Sequence, residues 1–172
     1  GEIPVAIELS SLKINKEDFT MTKGTSETLT VTGTPAEALE GQTITWKSSN
    51  KDVVTVDSKG KVEAVGVGNA TITATAAGKS DSVKITVNNP LKKITVDPAT
   101  LTLKKGTSKT LSVKYDPADT TDNKAVTWES SDKSVATVDA NGKVTALKDG
   151  SATITAKVGK LTATCALTVQ EK

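Results

Sequence analysis

The chain has 172 residues, a formal net charge of +2 and no histidine. The absence of histidine excludes Ser-His-Asp and Cys-His catalysis within this sequence, and it removes the usual imidazole ligand for transition metals. All 22 basic residues are lysines interspersed with acids, so there is no arginine fork or basic cluster to read nucleic acid.

The remaining composition limits the architecture. Only 2% of the residues are aromatic, so a core must consist of Val, Ile, Leu and Ala around two tryptophans. Cys165 is the single cysteine, which excludes an internal disulfide. No apolar stretch reaches the length of about 18 residues that a membrane-spanning helix needs, and no membrane insertion is expected. The start at Gly1 lacks the pattern of a signal peptide, so we expect a piece of a longer protein.

The sequence repeats itself at a fixed spacing of 82 residues. Trp46-Lys47-Ser48-Ser49 returns as Trp128-Glu129-Ser130-Ser131, and segments 9–90 and 91–172 share about 32 identical positions without a gap. A repeat of this length predicts two compact domains. We place the first domain at residues 1–89 and the second at residues 90–172.

Short segments rich in threonine and valine alternate between apolar and polar residues, which is typical of β-strands. In the first copy the alternation predicts strands at residues 9–14, 19–22, 26–32, 43–48, 53–56, 61–65, 69–76 and 82–88. The second copy repeats them 82 residues later. Helix is expected to be absent or limited to one turn at residues 35–39.

The turns between these strands are also visible. Asp57-Ser58-Lys59-Gly60 and Asp139-Ala140-Asn141-Gly142 each lie between two short strands that contain valine. An aspartate at the start of such a turn caps the backbone, and a glycine at its end supplies the positive φ that closes a hairpin. Both aspartates are therefore predicted to be turn residues.

Each predicted strand has one apolar face, and these faces point to one interior in each copy. Many short strands around a tryptophan predict an all-β fold with two tandem β-sandwich domains. The expected core positions of the first copy are Ile44, Trp46, Val54, Val56, Val62, Ala64, Ala70, Ile72, Ala74, Val83, Ile85 and Val87.

These spacings carry a specific resemblance. In the first copy it rests on Ile44, Trp46, Ser48, Ser49, Val53, Val56, Asp57, Gly60, Val62, Ala64, Gly68 and the segment 70–74. The second copy matches at every one of these positions apart from Val126 in place of Ile44. Both copies resemble bacterial immunoglobulin-like domains of group 2, which are similar to the modules of intimin and invasin. The resemblance implies Ig-like sandwiches in a secreted, cell-surface or phage virion protein, where such modules serve as stalks, spacers and adhesive units.

No catalytic, cofactor-binding or metal-binding residue is predicted, and the chain is not expected to be an enzyme. Calcium is the alternative that stays open, because Asp119, Asp122 and Asp132 could gather at one end of the second copy. The first copy has Glu37, Glu40 and Asn50 at the corresponding positions, which disfavours a shared site. Cys165 aligns with Val83 and is therefore expected to be an inert core residue.

Three aromatic residues are candidates for contact with a partner. Trp46 and Trp128 could stack against sugars, but their place in the apolar alternation favours core packing. Tyr115 stands where the first copy has Gly33, close to an acidic loop, and could be an exposed contact. The copies diverge most at residues 33–43 and 115–125, so any contact specific to a partner is expected in these loops.

The link between the copies is short. Asn88-Asn89-Pro90 passes directly into the first strand of the second copy, and Pro90 restricts Asn89 to extended conformations. This predicts a semi-rigid head-to-tail pair.

The predicted function is a non-catalytic spacer and adhesion module that binds glycans weakly; the alternative is a carbohydrate-binding accessory module of a glycan-degrading enzyme. The expected partner is a cell-surface or cell-wall carbohydrate or a host surface protein, and the fragment is expected to be a monomer.

Overall fold

The computed structural model describes residues 7–171, and the chain divides into two compact units between Asn89 and Pro90. The strands of unit 1 are β1 (Ser11–Ile14), β2 (Phe19–Thr22), β3 (Ser26–Thr28), β4 (Val31–Thr34), β5 (Thr45–Ser48), β6 (Val54–Val56), β7 (Lys61–Ala64), β8 (Gly68–Ala76) and β9 (Lys79–Asn88). A 3₁₀ turn at Ala36–Leu39 is the helical element of this unit within the described residues, as the sequence predicts.

Unit 2 repeats these elements. Its strands are β10 (Lys93–Asp97), β11 (Thr100–Lys104), β12 (Ser108–Thr110), β13 (Ser112–Asp116), β14 (Thr127–Ser130), β15 (Ala136–Val138), β16 (Lys143–Ala146), β17 (Gly150–Val158) and β18 (Leu161–Gln170). Six of them, β12 and β14 to β18, begin and end 82 residues after their counterparts. The all-β prediction is confirmed.

The strands of each unit form two facing layers. In unit 1 one layer is the sheet β2-β9-β8-β5, in which β2 runs parallel to β9 and the other pairs are antiparallel. The ladders β3-β7-β6 and β1-β4 provide the other layer. Unit 2 has the same order, with β11-β18-β17-β14 opposite β12-β16-β15 and β10-β13. The parallel pair at one edge and the antiparallel remainder are the same in both units.

The predicted strand 26–32 is in fact two strands, and this corrects the sequence analysis. The chain changes partner between β3 and β4. Leu29 N donates to Gly60 O at 2.8 Å on the β7 side, whereas Asn15 N donates to Thr30 O at 2.9 Å on the β1 side. Alternation within one segment does not reveal which neighbour each residue bonds, so the sequence could not locate this change.

Most predicted core residues are buried. In unit 1 nine of them have an exposure of 2% or less, namely Val54, Val62, Ala64, Ala70, Ile72, Ala74, Val83, Ile85 and Val87. Ile44, Trp46 and Val56 are only half-buried, although they pack against the same cluster. They lie in or beside β5 and β6, which are the outer strands of their sheets. An outer strand has a neighbouring strand on one side only, and side chains along β6 accordingly range from Val54 at 0% exposure to the half-buried Val56.

A buried hydroxyl ties the two layers of each unit together. Ser48, at the end of β5, is 6% exposed, and its Oγ donates to Val54 O of β6 at 2.6 Å. Ser130 is 7% exposed and donates in the same way to Ala136 O at 2.7 Å. β5 and β6 belong to different sheets, so each hydroxyl links the facing layers at this edge. A satisfied buried hydroxyl stabilises the fold, while an unsatisfied partner would be costly.

The next serine in each copy joins the same strand to its neighbour within the sheet. Ser49 Oγ accepts a hydrogen bond from Thr71 N at 2.8 Å, and Ser131 Oγ accepts one from Thr153 N at 2.8 Å. These bonds attach the ends of β5 and β14 to their neighbours β8 and β17. We call the two serines of each copy, Ser48 with Ser49 and Ser130 with Ser131, the serine clasp.

We expect Ser48→Ala to lower the free energy of unfolding of unit 1 by about 1–3 kcal/mol, because the buried Val54 carbonyl loses a hydrogen bond. Ser49→Ala is the matched control. Its bond lies at an exposed position, and its loss should cost at most about 1 kcal/mol. Urea unfolding followed by Trp46 fluorescence in a W128F background isolates unit 1. Equal losses for the two variants would contradict the role of the buried hydroxyl.

Candidate functional site

We call the turns at residues 57–60 and 139–142 the Asp-Gly hairpins. They form the same closed turn in both units. Asp57 Oδ1 accepts hydrogen bonds from Lys59 N at 2.8 Å and Lys61 N at 2.9 Å. Gly60 closes the turn with φ +84°, which glycine adopts without steric cost. In unit 2, Asp139 Oδ1 accepts from Asn141 N and Lys143 N at 2.8 and 2.9 Å, and Gly142 also has φ +84°. The prediction that both aspartates are turn residues is confirmed.

These bonds determine the electrostatics of both carboxylates. Backbone N–H groups of Lys143 and then Asn141 donate to Asp139, and they hold the pKa of its carboxyl below the ordinary value of 3.8. Backbone N–H groups of Lys61 and then Lys59 lower the pKa of Asp57 in the same way. Both carboxylates are used as caps within their own turns.

Each tryptophan packs against the glycine of its hairpin. A Cβ at Gly60 would lie 2.9 Å from Trp46 Cζ2 and 2.5 Å from Leu29 O. A Cβ at Gly142 would lie 2.8 Å from Trp128 Cζ2 and 2.9 Å from Leu111 O. Such distances leave no room for a side chain, so glycine is required by contact as well as by φ. The indoles are thereby held at the edge of the core.

The indole of Trp46 also lines an open cleft in unit 1, with a volume of about 530 Å³. Its apolar part includes Leu39, Ile44 and Trp46, and its polar rim includes Thr43, Ser58 and Lys59. The core packing of Trp46 predicted from the sequence is therefore partial. A half-buried indole beside hydroxyl groups offers an apolar surface and hydrogen-bonding groups together, a combination that is typical of small-molecule sites.

The three aspartates considered for calcium serve other contacts. Asp122 Oδ2 accepts a hydrogen bond from Leu91 N at 2.9 Å. Asp132 Oδ1 accepts from Ser134 N at 3.0 Å, and the hydroxyl and backbone N–H of Ser134 lower the pKa of this carboxyl. Asp119 also has an interaction partner. Within residues 7–171 the structure brings no three Asp, Glu, His or Cys residues together in a group that could hold a metal ion.

Tyr115 secures the divergent loop of unit 2. The side chain is half-buried, its hydroxyl donates to Lys124 O at 2.9 Å, and Lys124 Nζ lies 5.3 Å from the ring centroid. In unit 1 the corresponding residue is Gly33, and leucine side chains fill the space beside it. A Cβ there would lie 2.7 Å from Leu9 Cδ1 and 3.0 Å from Leu39 Cβ. Leu39, together with Leu9, therefore packs beside Gly33, at the position where unit 2 has the tyrosine.

Sequence reasoning missed the exchange between Tyr115 and Leu39, and it missed the role of the serine clasp. The signal for the clasp was present, since a Ser-Ser pair follows each tryptophan. Cys165 lies where the alignment with Val83 places it, at 0% exposure, and burial raises the pKa of its thiol. A buried thiol with a raised pKa is a poor nucleophile.

Comparison with known proteins identifies the domain type. The family model for the bacterial Ig-like domain (group 2) matches residues 9–87 and again residues 90–169. The chain belongs to this family. This confirms the resemblance and the fold class inferred from the sequence. The family is one of accessory Ig-like domains, and such a fold does not by itself imply a function.

Parts of this chain are similar to parts of two larger proteins. The chain is 50% identical to lacto-N-biosidase of Bifidobacterium bifidum over 70 residues, which is 40% of this chain and 6% of that protein. It is 39% identical to the minor capsid protein of Enterobacteria phage T3 over 89 residues, 51% of this chain and 19% of that protein. The match thus covers less than a fifth of either relative.

A solved structure with the same fold is that of the four N-terminal Ig domains of Dscam1 isoform 9.44. It has a TM-score of 0.55 and 14% sequence identity, and the match covers 95% of this chain and 47% of that one. At this identity the likeness concerns the fold. Among residues 7–171, no helix has the length and apolarity needed to cross a membrane.

We expect Asp139→Asn to flatten the pH dependence of the stability of unit 2. The lowered pKa means that the ionised carboxylate stabilises the folded unit above the ordinary value of 3.8, and this contribution is lost as the pH falls through the folded pKa. The difference in Tm between wild type and variant should therefore shrink from about pH 5 to about pH 2.

Trp128 fluorescence in a W46F background measures this transition, and Asp57→Asn is the matched control because its carboxylate caps the hairpin of the other unit. A difference in Tm that stays constant over the acid range would contradict the contribution of the Asp139 charge.

Proposed function

We propose that the chain is a non-catalytic spacer made of two Ig-like units joined by a semi-rigid link, in an extracellular or surface-exposed bacterial or phage protein. The single observation that carries the proposal is the length of the link. The last strand of unit 1 stays paired up to Asn88, which lies opposite Thr22. In unit 2, Leu91 N already donates to Asp122 Oδ2 at 2.9 Å and Lys92 N to Asp116 O at 2.9 Å.

Only Asn89 and Pro90 lie between these two sets of hydrogen bonds. Pro90 has a fixed φ and restricts the residue before it, so few backbone torsions are left for a swivel. A spacer needs this property, because a freely jointed link would let whatever it carries fold back. Each unit also has its own core of mainly aliphatic side chains, which favours use as independent modules.

The relatives support a surface location for the proposal, since one of them is a capsid protein. For partners we propose a cell-surface or cell-wall carbohydrate or a host surface protein, contacted weakly in the course of adhesion. We propose no nucleic-acid partner and no membrane insertion, and we propose that the fragment is a monomer. The proposed absence of catalysis rests on the lack of histidine and on the accessory character of the family.

We expect the two units to tumble together in the wild-type chain, with similar rotational correlation times from ¹⁵N relaxation. Insertion of Gly-Ser-Gly-Ser between Asn89 and Pro90 should make their correlation times diverge, because the inserted residues add freely rotating torsions. An insertion of the same four residues at the Ala77-Gly78 turn is the control, since it lengthens a hairpin and leaves the link unchanged. Independent tumbling of the wild-type units would overturn the spacer proposal.

A second candidate function is that of a carbohydrate-binding accessory module of a glycan-degrading enzyme. Two observations favour it: the similarity to a lacto-N-biosidase and the cleft that Trp46 lines in unit 1. In this candidate the indole would contact the apolar face of a sugar, while Thr43, Ser58 and Lys59 would contact its hydroxyl groups.

We expect oligosaccharides that contain lacto-N-biose to change the fluorescence of Trp46 saturably in a W128F background, with Kd in the millimolar range because an open cleft covers only part of the surface of a sugar. Lys59→Glu should weaken this binding several-fold. Lys133→Glu, at the cleft beside Trp128 in unit 2, is the matched charge control. If no change occurs at high sugar concentration, this candidate is wrong and the spacer proposal is unaffected.

A further inference from the structure

The hairpin of unit 2 differs from that of unit 1 in one chemically important position. Asn141 precedes Gly142, whereas Lys59 precedes Gly60, and Asn141-Gly142 is the only Asn-Gly pair in the sequence. The absence of a side chain on the following residue lets its nitrogen approach the asparagine amide carbon, which makes Asn-Gly the pair most prone to deamidation. Asn141 is exposed, so water reaches its side chain.

We infer that Asn141 is a self-modification site which the Asp139 hairpin holds in an unreactive geometry. The reaction begins when Gly142 N gives up its proton to solvent and bonds to Asn141 Cγ. The Cγ–Nδ2 bond breaks, and the nitrogen takes up a proton and leaves as ammonia. Water then opens the resulting succinimide at either carbonyl, which gives aspartate or isoaspartate.

The folded hairpin obstructs the first step, because the Gly142 peptide is held on several sides. Gly142 N donates to Asp139 O at 3.1 Å, and Leu111 N donates to Gly142 O at 2.9 Å. The Cα of Gly142 lies under the indole, where an added Cβ would be 2.8 Å from Trp128 Cζ2. Gly142 N must therefore leave its hydrogen bond, and the turn must open, before this nitrogen reaches Asn141 Cγ.

Asp139 controls the opening. Its carboxylate accepts hydrogen bonds from Asn141 N at 2.8 Å and Lys143 N at 2.9 Å, one on each side of Gly142. Bonds to an ionised acceptor are stronger than those between neutral groups. The rate at which Asn141 deamidates in the folded chain thus reports how often this one hairpin opens.

The aspartate or isoaspartate formed at position 141 alters the hairpin of unit 2 and leaves unit 1 unchanged. Isoaspartate places an extra methylene in the main chain between positions 141 and 142, and the close fit of Gly142 under Trp128 cannot be kept. Aspartate keeps the chain length but adds a negative charge beside Asp139. Unit 1 has Lys59 at the equivalent position, so its hairpin is not altered. Ageing would accordingly weaken one of the two units and leave the other unchanged.

The experiment is peptide mapping by mass spectrometry after incubation of the whole chain in mildly alkaline buffer, with and without urea. We expect deamidation at Asn141 to be on the order of a hundredfold slower in the folded chain than in urea. In urea it should be faster than at Asn123, which is followed by Lys124 and serves as the internal reference. Equal rates for Asn141 with and without urea would overturn the protective role of the hairpin, and equal rates for the two asparagines in urea would overturn the site.

Variants separate the hairpin from general stability. Asp139→Ala should accelerate the reaction of the folded chain about tenfold, because Asn141 N and Lys143 N lose their charged acceptor. Asp57→Ala, the same change in unit 1, should leave the rate unchanged. Asn141→Lys copies unit 1 and should abolish modification while the unfolding of unit 2 stays as in wild type. If Asp139→Ala unfolds unit 2, the comparison of wild type with and without urea still decides the proposal.

Discussion

A directional link joins the two layers of each unit: a hydrogen bond from a buried serine hydroxyl to a carbonyl of the facing sheet. Ser48 and Ser130 sit at the ends of β5 and β14, where the chain leaves one layer for the other. Apolar packing holds the two layers together without direction, whereas this bond sets how the edges of the layers meet. The next serine, Ser49 or Ser131, attaches the same strand end to its neighbour within the sheet.

The tryptophan and the hairpin glycine extend this arrangement. Each tryptophan lies on the same outer strand as the buried serine, and its indole packs against Gly60 or Gly142, so the Asp-Gly hairpin is held against this strand. With aromatic residues this scarce, one indole per unit covers the end of a core of small aliphatic side chains. The open side of Trp46 in unit 1 is a consequence of its place on an outer strand, and it provides the cleft.

The differences between the units are as informative as their shared plan. Tyr115 of β13 in unit 2 and Leu39 of the 3₁₀ turn in unit 1 occupy equivalent space. Asn141 and Lys59 occupy the same turn position with different chemistry. Both exchanges leave the sandwich intact, because the clasp and the indole are unchanged. A duplicated Ig-like module can thus vary its loops, its cleft and its susceptibility to deamidation without altering its layers.

The sequence by itself determined the duplication, the all-β class, the buried faces of the central strands, the Asp-Gly turns and the core position of Cys165. These features follow from the alternation of apolar and polar residues, from the turn residues and from comparison of the two copies, and all three can be observed in the sequence alone. Only the tertiary structure decided that residues 26–32 form two strands, that Trp46 is partly open, that Ser48 joins the sheets and that Leu39 replaces Tyr115. Each of these depends on which distant residue comes into contact, and a pattern of polar and apolar residues does not specify its partner.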